Sequence, residues 1–338
     1  MKLRPLTFSV ASLFLAATAV AQTNPTFVYA KPDEAKQAAP ATPPPAPPPP
    51  PKVEWKAQVK GGFLATSGNS QTTGGTFAGN VSRKEGNNKL AFDAGAAYGR
   101  SNVLTPVITT MTDPTTMVTT SSITNTTRNE VVSTNNWFTK GRYDRFFTTN
   151  NAGYVSAQAA ADPIAGKSFF GGGQIGYSRQ VYKSAMHLAV AELGYDYSYQ
   201  RYVQSSTTPI DPVSIHSARL FVGERLTLSP ETGINASFEA LFNLNTETNA
   251  LVASPSTFGE KGVDPFHDTR LIGKLGLTTT LRKRLSIAFG FTIKYEQNPA
   301  PLPIPSGTAA NIAFAPNFQP FAQTVDTATE VTLIYTFL

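Results

Sequence analysis

The chain runs out on Glu330-Val331-Thr332-Leu333-Ile334-Tyr335-Thr336-Phe337-Leu338, an alternation carried to the last residues. Val331, Leu333, Tyr335 and Phe337 share one face of an extended strand, and Glu330, Thr332, Ile334 and Thr336 share the other. Chain ends in soluble domains are normally frayed and polar. A membrane β-barrel instead needs an aromatic-rich final strand, because that strand pairs with the first and faces lipid. This one feature predicts an all-β, transmembrane, antiparallel up-and-down barrel.

The N-terminus agrees. Lys2 and Arg4 precede an apolar run from Phe8 to Val20, and Ala19-Val20-Ala21 supplies a small-x-small cleavage site before Gln22. The run is short for a membrane-spanning helix, which needs about 20 apolar residues, so residues 1–21 read as a secretory signal. With Cys 0 there is no lipid-attachment site and no disulfide framework. Charged residues make up 15% of the chain, against about 25% in soluble domains, as expected of strands with one face in lipid. The net charge of +6 comes without a basic cluster, and export argues against a nucleic-acid partner.

Residues 22–52 are a different material. Pro43 to Pro51, broken only by Ala46, cannot form a ladder and predict a polyproline II spacer in the periplasm. It reads either as a plain linker or as a tether that docks peptidoglycan or a periplasmic protein. From Val53 the period is two, and 53–338 is the expected barrel. Leu271, Gly273, Leu275 and Leu277 oppose Arg270 and Lys274, while Ile287, Phe289, Phe291, Ile293 and Tyr295 oppose Lys294 and Glu296. Twelve segments of this kind are expected, near 54–66, 72–84, 89–100, 131–145, 152–161, 169–180, 186–200, 216–228, 234–245, 269–281, 285–296 and 325–338. The connections after even-numbered strands, such as Glu85 to Asn88 and Arg282 to Arg284, are short. Several after odd-numbered strands are long, notably Ser101 to Thr127 and Gln297 to Pro320. Short periplasmic turns, long external loops and two periplasmic termini follow. Trp55, Tyr143, Tyr177, Tyr335 and Phe337 then fall at periplasmic strand ends, and Tyr98, Tyr199 and Tyr295 at external ends, as two interfacial belts.

These residues also carry a family likeness. Trp55 with Lys60-Gly61-Gly62 and Thr66-Ser67-Gly68-Asn69 resembles the opening of the domain of unknown function 481 family. Arg142 to Phe147, Asp162, Gly173 to Tyr177 and Glu192 to Tyr195 are similar in order and spacing. The resemblance runs from about Val53 to the end, though the two long inserts, the proline spacer and a terminal Leu338 depart from the usual pattern. It implies an outer-membrane barrel of a Gram-negative-type bacterium, tied by the family's naming to salt-induced outer-membrane proteins. It carries over no catalytic residue.

Sites of chemistry are sparse. Gly171-Gly172-Gly173-Gln174-Ile175-Gly176 matches a dinucleotide fingerprint by letter, but it lies within an alternating strand rather than before a helix. Glycines there are expected to relieve crowding as the sheet curves. His216 and Ser217 are adjacent, hence on opposite faces, and cannot pair as base and nucleophile. His187 and His267 have no evident nucleophile or metal-ligand spacing beside them. No enzyme activity, cofactor or metal is expected.

The lumen is the candidate site. Alternation points Lys56, Lys60, Asp93, Lys140, Arg142, Asp144, Glu192, Asp196, Arg219, Arg225, Glu239, Arg270, Lys274, Lys294, Glu296 and Glu330 inward, since a mid-membrane Arg or Lys facing lipid costs roughly 2–4 kcal/mol. Interleaved signs predict cross-lumen ion pairs. Two functions stay open: a narrow channel for ions or small polar solutes serving osmotic or envelope stress, and a filled barrel that presents external loops and a periplasmic tether, with an outer-membrane enzyme a distant third. Expected partners are outer-membrane lipid and lipopolysaccharide, and the barrel-assembly machinery through the last strand.

Overall fold

The computed structural model describes residues 53–66, 71–116, 119–204, 209–253, 260–302 and 321–337. The signal and spacer expected over 1–52 lie outside the described residues, as do Ser67 to Ser70 and Leu338. The strands are β1 (Val53–Thr66), β2 (Gln71–Glu85), β3 (Asn88–Thr112), β4 (Thr119–Thr148), β5 (Asn151–Asp162), β6 (Lys167–Lys183) and β7 (His187–Tyr202). They continue with β8 (Val213–Thr227), β9 (Thr232–Asn243), β10 (Glu247–Leu251), β11 (Lys261–Val263), β12 (Arg270–Arg282), β13 (Leu285–Glu296) and β14 (Val325–Thr336).

All but β10 and β11 form one closed barrel in the order β1-β14-β13-β12-β9-β8-β7-β6-β5-β4-β3-β2, each pair antiparallel. The twelve expected segments are these twelve strands. Closure matters because a β-sheet in lipid has no water to satisfy an open edge. The seam is short: Gln58, Val59, Lys60 and Gly61 face Thr336, Tyr335, Ile334 and Leu333, and the Phe337 amide adds a 2.9 Å bond to the Ala57 carbonyl.

Period-two patterning sorts the side chains as expected. Phe63 (74% exposed), Phe77, Ile175, Leu193, Phe289, Val331 and Leu333 project from the outer wall, while their neighbours Glu192, Asp196, Thr332 and Ile334 are buried. At the end that carries both described chain ends the turns are tight. Gly86-Asn87 joins β2 to β3 with Gly86 at φ 53°, the left-handed conformation such two-residue turns require.

The opposite, far end departs from expectation twice. Ser101 to Thr127 is for the most part not a loop: β3 and β4 continue as a paired ribbon to Thr112 and Thr119. Its Thr-, Val- and Ile-rich composition favours extended backbone. The turn at its tip is set by Asp113, whose Oδ1 accepts the Thr115 amide at 2.8 Å, with Pro114 at the following position. The connection between β9 and β12 also holds its own hairpin, β10–β11. This hairpin packs Ala250 and Val263 against Tyr202, Ile210, Val213, Ile215 and Ala300 in an apolar cluster. Asn298 locks the cap by bonding the Leu251 carbonyl (3.0 Å) and the Ala253 amide (2.9 Å).

Candidate functional site

Inward charges on the barrel wall meet because register brings them into cross-strand rows. One row runs Asp144, Tyr154, Gly176, Gly194, Arg219 across β4 to β8. The two glycines leave the wall bare between Tyr154 and Arg219. A Cβ at Gly194 would sit 2.5 Å from the Tyr154 hydroxyl, and one at Gly176 would sit 2.7 Å from it. Over this gap the Tyr154 hydroxyl accepts a 2.8 Å bond from Arg219 Nη1. The glycines of β6 thus serve close approach, not a phosphate. Gly172 has a similar role, since a Cβ there would run into the Tyr197 carbonyl of β7.

Glu192, on β7 and 3% exposed, is the hub. It accepts two bonds from Arg142 (2.7 and 3.1 Å) and one from Arg219 (2.8 Å). Arg142 also binds Asp144 (2.7 Å), and Arg219 Nε binds Glu239. The Arg142 guanidinium stacks on the Tyr154 ring at 4.3 Å. Toward the far end, Gln174 donates to Asp196 (2.9 Å) and accepts from Ser156 (3.2 Å) and Lys140 (3.4 Å), while Ser198 donates to Asp196 (2.6 Å). Arg270 donates to Ser217 (2.9 Å) and lies 3.9 Å from both Asp196 and Asp268. Lys167 of β6 reaches Glu296 of β13, on another side of the barrel, at 2.7 Å. Cross-lumen ion pairs were expected, and among the described residues Arg142–Glu192, Lys167–Glu296 and Arg270–Asp196 each join strands that are not neighbours.

Two of the cavities among the described residues bear on the lumen. The first, of about 230 Å³, is lined by Asp93, Lys140, Glu239, Lys274, Lys294 and Glu296 among others and reaches the far-end residues Ala165 and Gln323. The second, of about 340 Å³, lies toward the terminal end and is lined by Gln58, Lys60, Asn80, Arg225, Lys274 and Glu330 among others. Lys274 and Ser237 line both. Lys56 and Arg225 are exposed, near the terminal ends of β1 and β8. The belt aromatics Trp55, Tyr98, Tyr143, Tyr177, Tyr335 and Phe337 are exposed, and Tyr199 and Tyr295 are half-buried on the same outward parity. His187 lies 3.2 Å from Glu224, His216 bonds Tyr195, and His267 donates to the Pro265 carbonyl (3.1 Å).

Sequence reasoning missed Tyr154, Gln174, Lys167, Glu247 and Asp268. The first two lie on weakly alternating strands, and the signal for Tyr154, glycines in register on two neighbouring strands, appears only after pairing. Glu247 and Asp268 lie in the connection from β9 to β12, each 3% exposed. Burial, with Asp268 next in effect, pushes the Glu247 carboxyl up to about 8; burial also raises Asp268, against the opposing pull of Arg270.

A closed barrel with an apolar outer wall, aromatic ends and a charged interior is the arrangement lipid imposes on β-structure, and the chain is an outer-membrane-type β-barrel. Among solved structures it is similar to the translocator domain of the autotransporter NalP from Neisseria meningitidis, at 14% identity over 84% of this chain and 88% of that one, TM-score 0.38. It is similar to the NanC porin at 8% identity over 83% and 100%, TM-score 0.41. It is also similar to an anion-selective porin from Comamonas acidovorans at 9% identity over 85% and 99%, TM-score 0.33. No curated protein matches the sequence. The family profile described as "Protein of unknown function, DUF481" matches residues 59–337, nearly the whole barrel, and the chain belongs to that family.

Proposed function

We propose that the protein is a narrow channel for ions or small polar solutes in the outer membrane of a Gram-negative-type bacterium, with both termini periplasmic. The observation that carries this reading is the pair of cavities that both hold charged side chains and share Lys274 and Ser237 in their walls. Selectivity in such a path is set by the side chains that line it. With this function go an orientation and a set of partners. The short-turn end faces the periplasm, the spacer extends there, the last strand engages the assembly machinery, and the outer wall contacts lipid and lipopolysaccharide. The role assigned to it in this reading is in osmotic or envelope stress, as the resemblance to salt-induced outer-membrane proteins implies, with no enzymatic step.

A second reading, a filled barrel with a structural or binding role, is favoured by the buried Arg142–Glu192–Arg219 bridge and the apolar far-end cluster. Single-channel recording of the refolded barrel in a planar bilayer separates the two, once heat-modifiable gel migration has established folding. Discrete conductance steps are expected. Electrical silence from a folded barrel would instead favour the filled reading.

A further inference from the structure

Inward side chains of β9, β12, β13 and β14 stand in register and form rows across that part of the wall. Glu239, Ile272, Lys294 and Asp326 make one row, and all of them line the first cavity. Nearer the terminal end, Asn235, Gly276, Gly290 and Glu330 make another, and all of them line the second. Between the two runs the row of Ser237, Lys274, Thr292 and Ala328. Ser237 and Lys274 belong to both cavities, so the boundary between the cavities falls in this row. Its other members are small, and Lys274 is the one long side chain in it. Across the lumen the same step occurs between register partners, for Asp93 of β3 lines the first cavity and Asn80 of β2 the second. The buried network of Arg142, Tyr154 and Glu192 takes up the side formed by β4, β5 and β7 and lines neither cavity. Lys274 is itself held: Glu239, bound to Arg219 in turn, is the carboxylate that acts on its ammonium most strongly.

We infer that Lys274 is the gate of the lumenal path, its side chain closing the passage between the two cavities. An ammonium on a flexible aliphatic stem can be held by a neighbouring carboxylate and still swing aside. The small neighbours Ser237, Thr292 and Ala328 leave room beside it once it does. At such a constriction the side chain that occupies the gap decides what passes. This gate presupposes the channel reading and adds to it the residue that limits flow.

Single-channel recording of Lys274→Ala beside the wild type tests the gate, with heat-modifiable migration confirming that each barrel is folded. Conductance should rise in Lys274→Ala. It should rise less in Lys294→Ala, which shortens a side chain of equal length that lines the first cavity alone. Ser237→Cys supplies a second route that leaves Lys274 in place. Attaching a methanethiosulfonate ethylammonium group to its thiol after folding adds bulk beside Lys274 and should lower the current. A conducting wild type with no rise in folded Lys274→Ala overturns the gate and leaves the channel standing. An equal rise in Lys294→Ala does the same, and so does a current indifferent to modification of Ser237→Cys. Silence from the folded wild type and from folded Lys274→Ala overturns channel and gate together. A silent wild type beside a conducting Lys274→Ala upholds the gate as closed at rest.

Discussion

At the scale of single residues the interior is governed by Glu192. One carboxylate bridges two guanidiniums, and its removal would break both of these buried pairs at once and leave Arg142 only Asp144 and Arg219 only Glu239. Breaking a buried pair from one side typically costs about 3–5 kcal/mol, because the remaining charge has no replacement for water. Glu192→Ala should therefore lower the denaturant midpoint of the refolded barrel by an amount equivalent to about 3–5 kcal/mol. Tyr154→Phe, which removes only the hydroxyl bonded to Arg219 at 2.8 Å, should cost about 1–3 kcal/mol. Equal midpoints for Glu192→Ala and wild type would show that the hub does not hold the wall. Glu192 itself was legible in the sequence, since alternation in Glu192-Leu193-Gly194-Tyr195 points it inward. Its pairing was not, because Arg142 comes from β4 and Arg219 from β8 and their meeting depends on register.

At the scale of elements the far-end hairpin β10–β11 is the piece most open to its conditions. Glu247 titrates near 8 in the folded cap against an ordinary 4.5. The groups that act on it are Asp268 and Arg270, with Asn243 beside it. A raised folded-state value means that the closed cap binds a proton the open cap releases. Its stabilising effect is then complete below about 4.5 and is lost as pH rises toward and through about 8. Asp268, also raised, acts in the same direction. Hydrogen exchange of the β10–β11 amides should accordingly show more opening at pH 9 than at pH 5, after correction for intrinsic exchange rates, and Glu247→Gln should flatten that dependence. A dependence unchanged in Glu247→Gln would assign the effect elsewhere. Alternation does not betray this hairpin, because its strands are short and their pairing, Glu247 with Val263 and Leu251 with Lys261, spans a connection of turn-forming residues. The β3–β4 ribbon escaped for a related reason: a Thr- and Ser-rich stretch reads as loop until a paired neighbour extends it.

At the scale of the whole molecule the barrel depends on its seam. Neighbouring strands such as β1 and β2 pair along their entire length, whereas β1 and β14 share four register positions. Deleting Tyr335 to Leu338 removes two of these, Val59↔Tyr335 and Gln58↔Thr336, and also the Phe337–Ala57 bond. The open edge that remains has no partner in lipid. The truncated chain should therefore fail to give a heat-modifiable folded band or surface exposure, and normal insertion would show that closure does not require the last strand.

What the sequence determined alone is what a period of two can carry. That includes the strand count, the inward and outward faces, the seam strand and the distribution of short turns, because alternation is a local property that lipid makes strict. The tertiary structure decided which inward charges meet and which of them line a cavity. Lys274 and Arg219 carry the same sign on equivalent faces and both line the first cavity, yet of the two Lys274 alone reaches the second as well. That distinction depends on register across five or more strands and on glycines that let a tyrosine cross the wall, and neither is written in the neighbourhood of any one residue.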